Sequence, residues 1–309
     1  MDRRNQLEGV LSGFGAYLLW GILPFYWKLL SAFRPETILG FRIVHAGIFM
    51  VAVGLIGRRL PATVRLLRNR RTLLLVTASS VLITLNWYIY IWAVNRAFIV
   101  ESSLGYFINP LVSVAFGVLF MKERMTPAMG ISVFLAAAGV VVMAVGYGRI
   151  PWISLALAFT FATYGLVKKI AKLDGLTGLT LETLLLVAPM LLFLGIMGFT
   201  TGWTVRAPGT GVVLASLLAG IITAVPLILF GHASQKLELS TLGFIQYVSP
   251  TLQLLIGVLA YGEAFTGRHL LAFSLIWAGL LVYSMPQIRG MLRARGARRT
   301  QVTDSPSAE

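Results

Sequence analysis

Four stretches of the sequence, residues 127–148, 177–205, 207–235 and 239–262, run with almost no charge. Each is longer than the roughly 20 residues needed to cross a hydrocarbon layer about 30 Å thick. Over the whole chain 57% of residues are hydrophobic and 12% are charged. A soluble domain carries nearer half apolar and a quarter charged residues. So little charge cannot cover a water-facing surface of this size, which argues against a large soluble enzyme. The chain has no cysteine, so disulfides and thiolate metal sites are excluded.

Ten apolar spans can be drawn, at about 8–30, 36–56, 72–95, 102–121, 127–146, 151–168, 177–199, 210–235, 241–261 and 268–286. The first follows MDRRNQLEG, is too long for a cleaved signal and is expected to be permanent. Residues 287–309 form a basic, then polar tail expected to be disordered. The lysines and arginines fix an orientation. With both termini in the cytoplasm, 19 fall on inside segments and 6 outside (Lys28, Arg34, Arg96, Arg149, Arg206 and Arg268). Arg42 lies within a span, which completes the 26. The net charge of +15 is thus a topological signal spread over many loops, and no nucleic-acid partner is expected. The expected location is the inner (cell) membrane. Segment 61–71 can lie along the anionic leaflet or be a solvated loop.

The sequence also repeats itself. SLGYFINPLVSVAFGVLFMKE from Ser103 is echoed by TLGFIQYVSPTLQLLIGVLAYGE from Thr241. Pro110, Gly117 and Glu123 match Pro250, Gly257 and Glu263, each 140 positions later. The upstream pairs Leu104-Gly105 and Leu242-Gly243 match with a two-residue insertion, and Trp20-Gly21 weakly echoes Tyr164-Gly165. A period of 140 holds five spans, and an odd number inverts the second copy in the bilayer. The expected fold is all-α and integral to the membrane, with ten helices in two inverted five-helix repeats. The repeats are residues 1–146 and 147–286.

Each copy carries a polar line at helical spacing: Tyr106, Asn109 and Ser113 in one, Gln246, Ser249 and Gln253 in the other. Pro110 and Pro250 cannot donate to the helix ladder and should free the carbonyls of Tyr106 and Gln246. In hydrocarbon, a freed carbonyl must find a partner or line a wet cavity. One reading is a pair of hinged helices facing a central cavity; the other is a packing kink with interhelical bonds. Asn86 and Tyr90, flanked by Trp87 and Trp92, and the stripe Tyr17, Trp20 and Pro24 are further cavity candidates.

Arg42 and Glu182 are charges inside spans, 140 apart and opposite in sign. Inversion sets them at opposite depths, so each needs its own partner. Glu101 is the candidate for Arg42, and Lys168 or Lys236 for Glu182. Such clusters act as outer and inner gates or as fixed anchors. His45, His232 and Glu182 can each take a proton, so coupling to a proton or another ion is left open. The three histidines share no depth, and no metal site or cofactor is expected. Glu123 and Glu263 fall at membrane edges and are expected to orient the turns that follow.

The patterns SLGYFINPL…E and LSTLGFIQYVSPTL…YGE, with AYLLWGILPFYWK and NWYIYIWAVN, resemble the RarD branch of the EamA group of drug/metabolite transporters. The resemblance implies ten spans, an inverted repeat and a permease for small organic molecules, and it carries a chloramphenicol-permease label. The expected function is alternating-access secondary transport, in the export direction, of a small amino-acid-like or aromatic compound. The protein would be a monomer or homodimer in the lipid bilayer. A membrane-embedded lipid-processing enzyme would need clustered intramembrane acids or histidines, and the spans hold at best one acid per half. A channel or scaffold protein is the third class.

Overall fold

The structure is a computed structural model that describes residues 3–122, 125–148, 150–236, 245–283 and 285. Among them every regular element is a helix. These are α1 (Arg3–Leu29), α2 (Pro35–Ile56), α3 (Leu60–Arg65), α4 (Arg70–Asn95), α5 (Ile99–Met121), α6 (Pro127–Tyr147) and α7 (Trp152–Ala171). They continue as α8 (Gly175–Thr200), α9 (Thr210–Leu217), α10 (Ala219–Lys236), α11 (Val248–Leu255) and α12 (Gly267–Tyr283). Among the described residues seven helical segments are long and apolar enough to cross a membrane, and three shorter apolar helices fall at 152–168, 248–260 and 267–283.

Local chemistry sets several of the ends. Asn69, Thr126 and Asp174 cap α4, α6 and α8 by accepting the amides of Thr72, Met129 and Thr177. Pro35 and Pro127 stand in first turns, where no amide donor is required. Two expected spans differ in detail. The eighth is broken at Leu218, between α9 and α10. In the ninth, a turn at Tyr247 precedes α11, which places Pro250 in a first turn, while Pro110 stands inside the longer α5. The end of α11 widens into a π turn, Ile256–Ala260. The basic segment after α2 folds as α3 and a 3-10 turn, Leu66–Arg68. Glu123, the Leu242-Gly243 pair and the tail from 287 lie outside the described residues.

Alternate connections gather at one end of the bundle. Phe33 bridges Thr204, and the Arg34 amide donates to the Trp203 carbonyl at 3.0 Å. Trp92 meets Trp152 at 5.5 Å, and Lys28 lies over the Tyr261 ring. Three cations assigned to the outer side by counting do a common job there. Lys28, Arg34 and Arg268 donate to the carbonyls of Val94, Thr201 and Gly146, at or near the C-terminal ends of α4, α8 and α6. A cation is favoured at a helix C-terminus, which accounts for basic residues at these positions.

The packing follows the repeat. In α2 against α8, Thr37 meets Met197, Gly40 meets Leu194 and Gly47 meets Val187. The partner numbers fall as the others rise, so the two helices run antiparallel. Gly47 and Val187 are 140 apart, so this seam joins a helix to its own counterpart. The contact of α6 with α12 is reciprocal. A Cβ on Gly139 would lie 2.9 Å from the Ala272 carbonyl oxygen, and one on Gly279 would lie 3.0 Å from that of Ser132. Both 139/279 and 132/272 differ by 140, as in an interface about a two-fold axis. Small residues let backbones approach where lipid supplies no drive for helix association.

The two glycines should therefore be intolerant of side chains. Gly139→Leu and Gly279→Leu are each expected to lower the melting midpoint of detergent-purified protein by several degrees, the usual consequence of overpacking. Gly195→Leu, where an added Cβ meets nothing within 4 Å, should leave it unmoved.

Candidate functional site

Helices α1, α2, α4, α5 and α7 bring a polar and aromatic cluster into the interior. Its first part is a chain of hydrogen bonds. The Tyr106 hydroxyl donates to Asn86 Oδ1 at 3.3 Å. Asn86 Nδ2 donates to the Leu157 carbonyl at 3.0 Å and to Thr160 Oγ1 at 2.9 Å. Thr160 in turn donates to the Ala156 carbonyl at 2.6 Å. Tyr90 and Tyr106 meet edge to face at 5.6 Å, and Phe161 lies 6.3 Å from Tyr106. Asn86, a cavity candidate by sequence, is thus hydrogen-bonded to α7.

The second part is Arg42, which is 3% exposed. Its guanidinium carbon lies 4.0 Å from the ring centre of Trp87 and 5.0 Å from that of Trp27. The phenols of Tyr26, Tyr90 and Tyr106 are near enough to interact with its charge. Among the described residues no carboxylate lies within ion-pair distance, and Arg42 Nε has no acceptor. The expected pairing with Glu101 is therefore not made; Glu101 is buried, and its carbonyl accepts from Ser154 at 2.6 Å. A guanidinium is weakly hydrated and stacks on aromatic faces, so two indoles can take the place of a carboxylate. Each such contact contributes about 0.5–2 kcal/mol. A buried charge costs several kcal/mol, and a donor with no acceptor about 1–3 kcal/mol more. The indoles offset part of the first cost and none of the second.

Glu182, the counterpart of Arg42, is fully provided for. It accepts from Ser79 at 2.7 Å, Lys168 at 3.1 Å and Tyr164 at 3.2 Å. Gly178, one turn earlier on α8, leaves the space that the Lys168 ammonium occupies. Of the two expected partners, Lys168 is the one found. Lys236 pairs instead with Glu8, because α10 packs along α1 and its end meets the start of that helix.

The remaining candidates divide. Gln253 and Ser249 are buried, and Gln253 Nε2 donates to Ser249 Oγ at 3.1 Å and to the Trp20 carbonyl at 3.3 Å. Trp20 lies between Tyr17 and Phe230. Asn109 is buried with Oδ1 unpartnered, Gln246 is half-buried, and Ser113 is exposed. The first polar line therefore turns two of its three side chains inward. His45 stacks on Phe41, and His232 is exposed at the far end of α10. Glu263 does not orient its own turn. Its two oxygens accept the amides of Ile99 and Val100 at 2.9 and 2.8 Å, capping α5 across the fold. A cavity of about 290 Å³ opens beside that cap, lined by Glu101, Glu263 and His269 among others.

Sequence reasoning passed over Trp27 and Tyr26 on α1 and Ser79 on α4. Trp27 was within reach: it extends the stripe of Tyr17, Trp20 and Pro24 by one turn, at the same helical spacing. Nothing in local spacing points to Ser79, which meets Glu182 across 103 residues.

Residues 7–145, close to one repeat period, match the model of the EamA-like transporter family. The protein RarD of Streptomyces exfoliatus is 44% identical over 94% of this chain and 92% of its own. An uncharacterized transporter of Bacillus subtilis, YojE, is 40% identical over 94% and 97%. A crystal structure 22% identical in sequence covers 90% of this chain and 97% of its own with a TM-score of 0.60, a likeness of fold.

If the Glu182 cluster anchors helices, removing one partner should hurt more than removing both. Glu182→Gln is expected to lower the melting midpoint, and adding Lys168→Met to restore part of it, since a lone buried charge is worse than none. Additive losses in the double variant would refute a coupled pair.

Proposed function

The chain belongs to the EamA-like transporter family, in its RarD branch, and from that premise we propose an alternating-access carrier for a small organic solute. It is a multi-pass membrane protein, and the reading adds ten crossings, arranged as two inverted five-helix halves. What supports this is the antiparallel, 140-offset packing of α2 on α8 and of α6 on α12. Inverted repeats place a site at their interface near mid-bilayer, and rocking of one half on the other opens it to each side in turn.

The buried network of Asn86, Tyr90 and Tyr106, with Asn109, Ser249 and Gln253, is the site in this reading. Its mixture of rings and amides suits an aromatic or amino-acid-like solute. Both termini face the cytoplasm of a cell with this protein in its inner membrane, and transport runs outward. The hinge role falls to Pro110 within α5 and to the turn before α11, where Pro250 stands. The π turn that closes α11 adds a second irregular point, of a kind frequent at functional sites. Glu263 on the first turn of α5 fixes the other end of that moving pair.

Proteoliposomes provide the test. Chloramphenicol and phenylalanine, each radiolabelled, should enter saturably and faster when the lumen is preloaded with the unlabelled compound, for at least one of the two. Uptake of both that is linear in concentration and indifferent to preloading would indicate a channel, or no transport. Pro110→Ala and Pro250→Ala should each reduce counterflow several-fold at unchanged yield of folded protein. Wild-type counterflow in both would remove the hinge.

A further inference from the structure

We propose that the solute carries a carboxylate and that Arg42, between Trp27 and Trp87, is the residue that binds it. The inference rests on the carrier reading and names the substrate class of the same site. Three buried polar groups of this cluster have no hydrogen-bond partner: Arg42 Nε, Trp27 Nε1 and the Tyr90 hydroxyl. The first two can only donate, and the third can donate as well. The guanidinium touches both indoles, and Tyr90 lies near enough to interact with its charge. None of the three can satisfy another without leaving a donor over, so the cluster lacks acceptors. What it lacks is what a carboxylate provides: negative charge and two planar oxygens that match the guanidinium fork.

The comparison with Glu182 separates this from a structural role. The two residues hold equivalent positions on α2 and α8, yet Glu182 has a lysine, a serine and a tyrosine on it. A chain of this fold can therefore neutralise a charge at that position from within. At Arg42 it supplies two indole faces and nearby phenols, and among the described residues no carboxylate within ion-pair distance. Trp27, Trp87, Tyr90 and Tyr106 around the cation would receive the flat body of an aromatic acid while its head meets the guanidinium.

Benzoate and its uncharged analogue benzamide are the probes, titrated into the purified full chain in detergent, with melting midpoint and tryptophan fluorescence as readouts. Benzoate should raise the midpoint saturably and change the fluorescence, and benzamide should do neither. Arg42→Gln should abolish both responses while melting, without ligand, at or above the wild-type temperature. Arg42→Lys, which keeps charge but loses the fork, should weaken apparent affinity roughly tenfold or more and serves if the glutamine variant does not fold. Equal responses to benzoate and benzamide, or a benzoate response surviving in Arg42→Gln, would overturn the assignment. So would loss of the response in Glu101→Gln, which would make Arg42 one arm of a gate. Absence of any benzoate response in protein active in counterflow would also overturn it. Binding needs no transport, so the two readings fail separately: benzoate bound without counterflow ends the carrier alone.

Discussion

The antiparallel seam of α2 on α8 is the contact on which the remaining geometry depends. Lipid gives helices no hydrophobic reason to associate, so close backbone approach must supply the attraction. Gly40 and Gly47 face Leu194 and Val187 at distances that no side chain at either glycine would permit without displacement. Gly220 does the same for α10, lying directly on the backbone of His45 in α2. With α2 held on two sides, its position relative to α1 and α4 is set, and Arg42 is carried between Trp27 and Trp87. The same seam carries Glu182 on α8 toward Ser79 of α4 and Lys168 of α7. Both charged clusters are thus consequences of one packing surface, lying on either side of it.

Helix positions were legible in the sequence because the signal behind them is one-dimensional. A run of apolar residues bounded by charge, proline or glycine reads the same in any context, and α2, α6 and α8 begin and end within two residues of expectation. Side-chain partners were legible only where depth alone decided. Glu182 and Lys168 lie near the same end of neighbouring helices, and counting placed them together. Arg42 was expected to seek an acid for the same reason. Depth does not say which face of α1 or α4 turns toward α2, and two indoles stood in the way. Glu263 shows the opposite error. Its place at the end of a span suggested a local task, but the free amides that needed it began another helix, α5.

The repeat was the most informative feature and also the one that misled by being too regular. Pro110 and Pro250 occupy matched positions, yet one lies within a continuous helix and the other in the first turn of a helix restarted after Tyr247. Tyr106 and Gln246 match as well, but only the first is tied to Asn86, whose own counterpart is Pro226. Proline removes a donor and offers no side-chain amide, so the second half cannot build the same network. The two copies share antiparallel backbone packing, and each carries its own polar contacts.

That divergence has a physical direction. Two identical halves would carry the same side chain at positions 42 and 182, and these carry opposite charges. Here the Glu182 position is closed by Ser79, Tyr164 and Lys168, so its charge is spent within the protein. The Arg42 position keeps its charge unspent between two rings. A buried cation without a counter-ion lowers stability, and the carboxylate proposed for Arg42 would offset that cost. The equivalent position of the opposing half does not share it, since Lys168 pairs with Glu182 there.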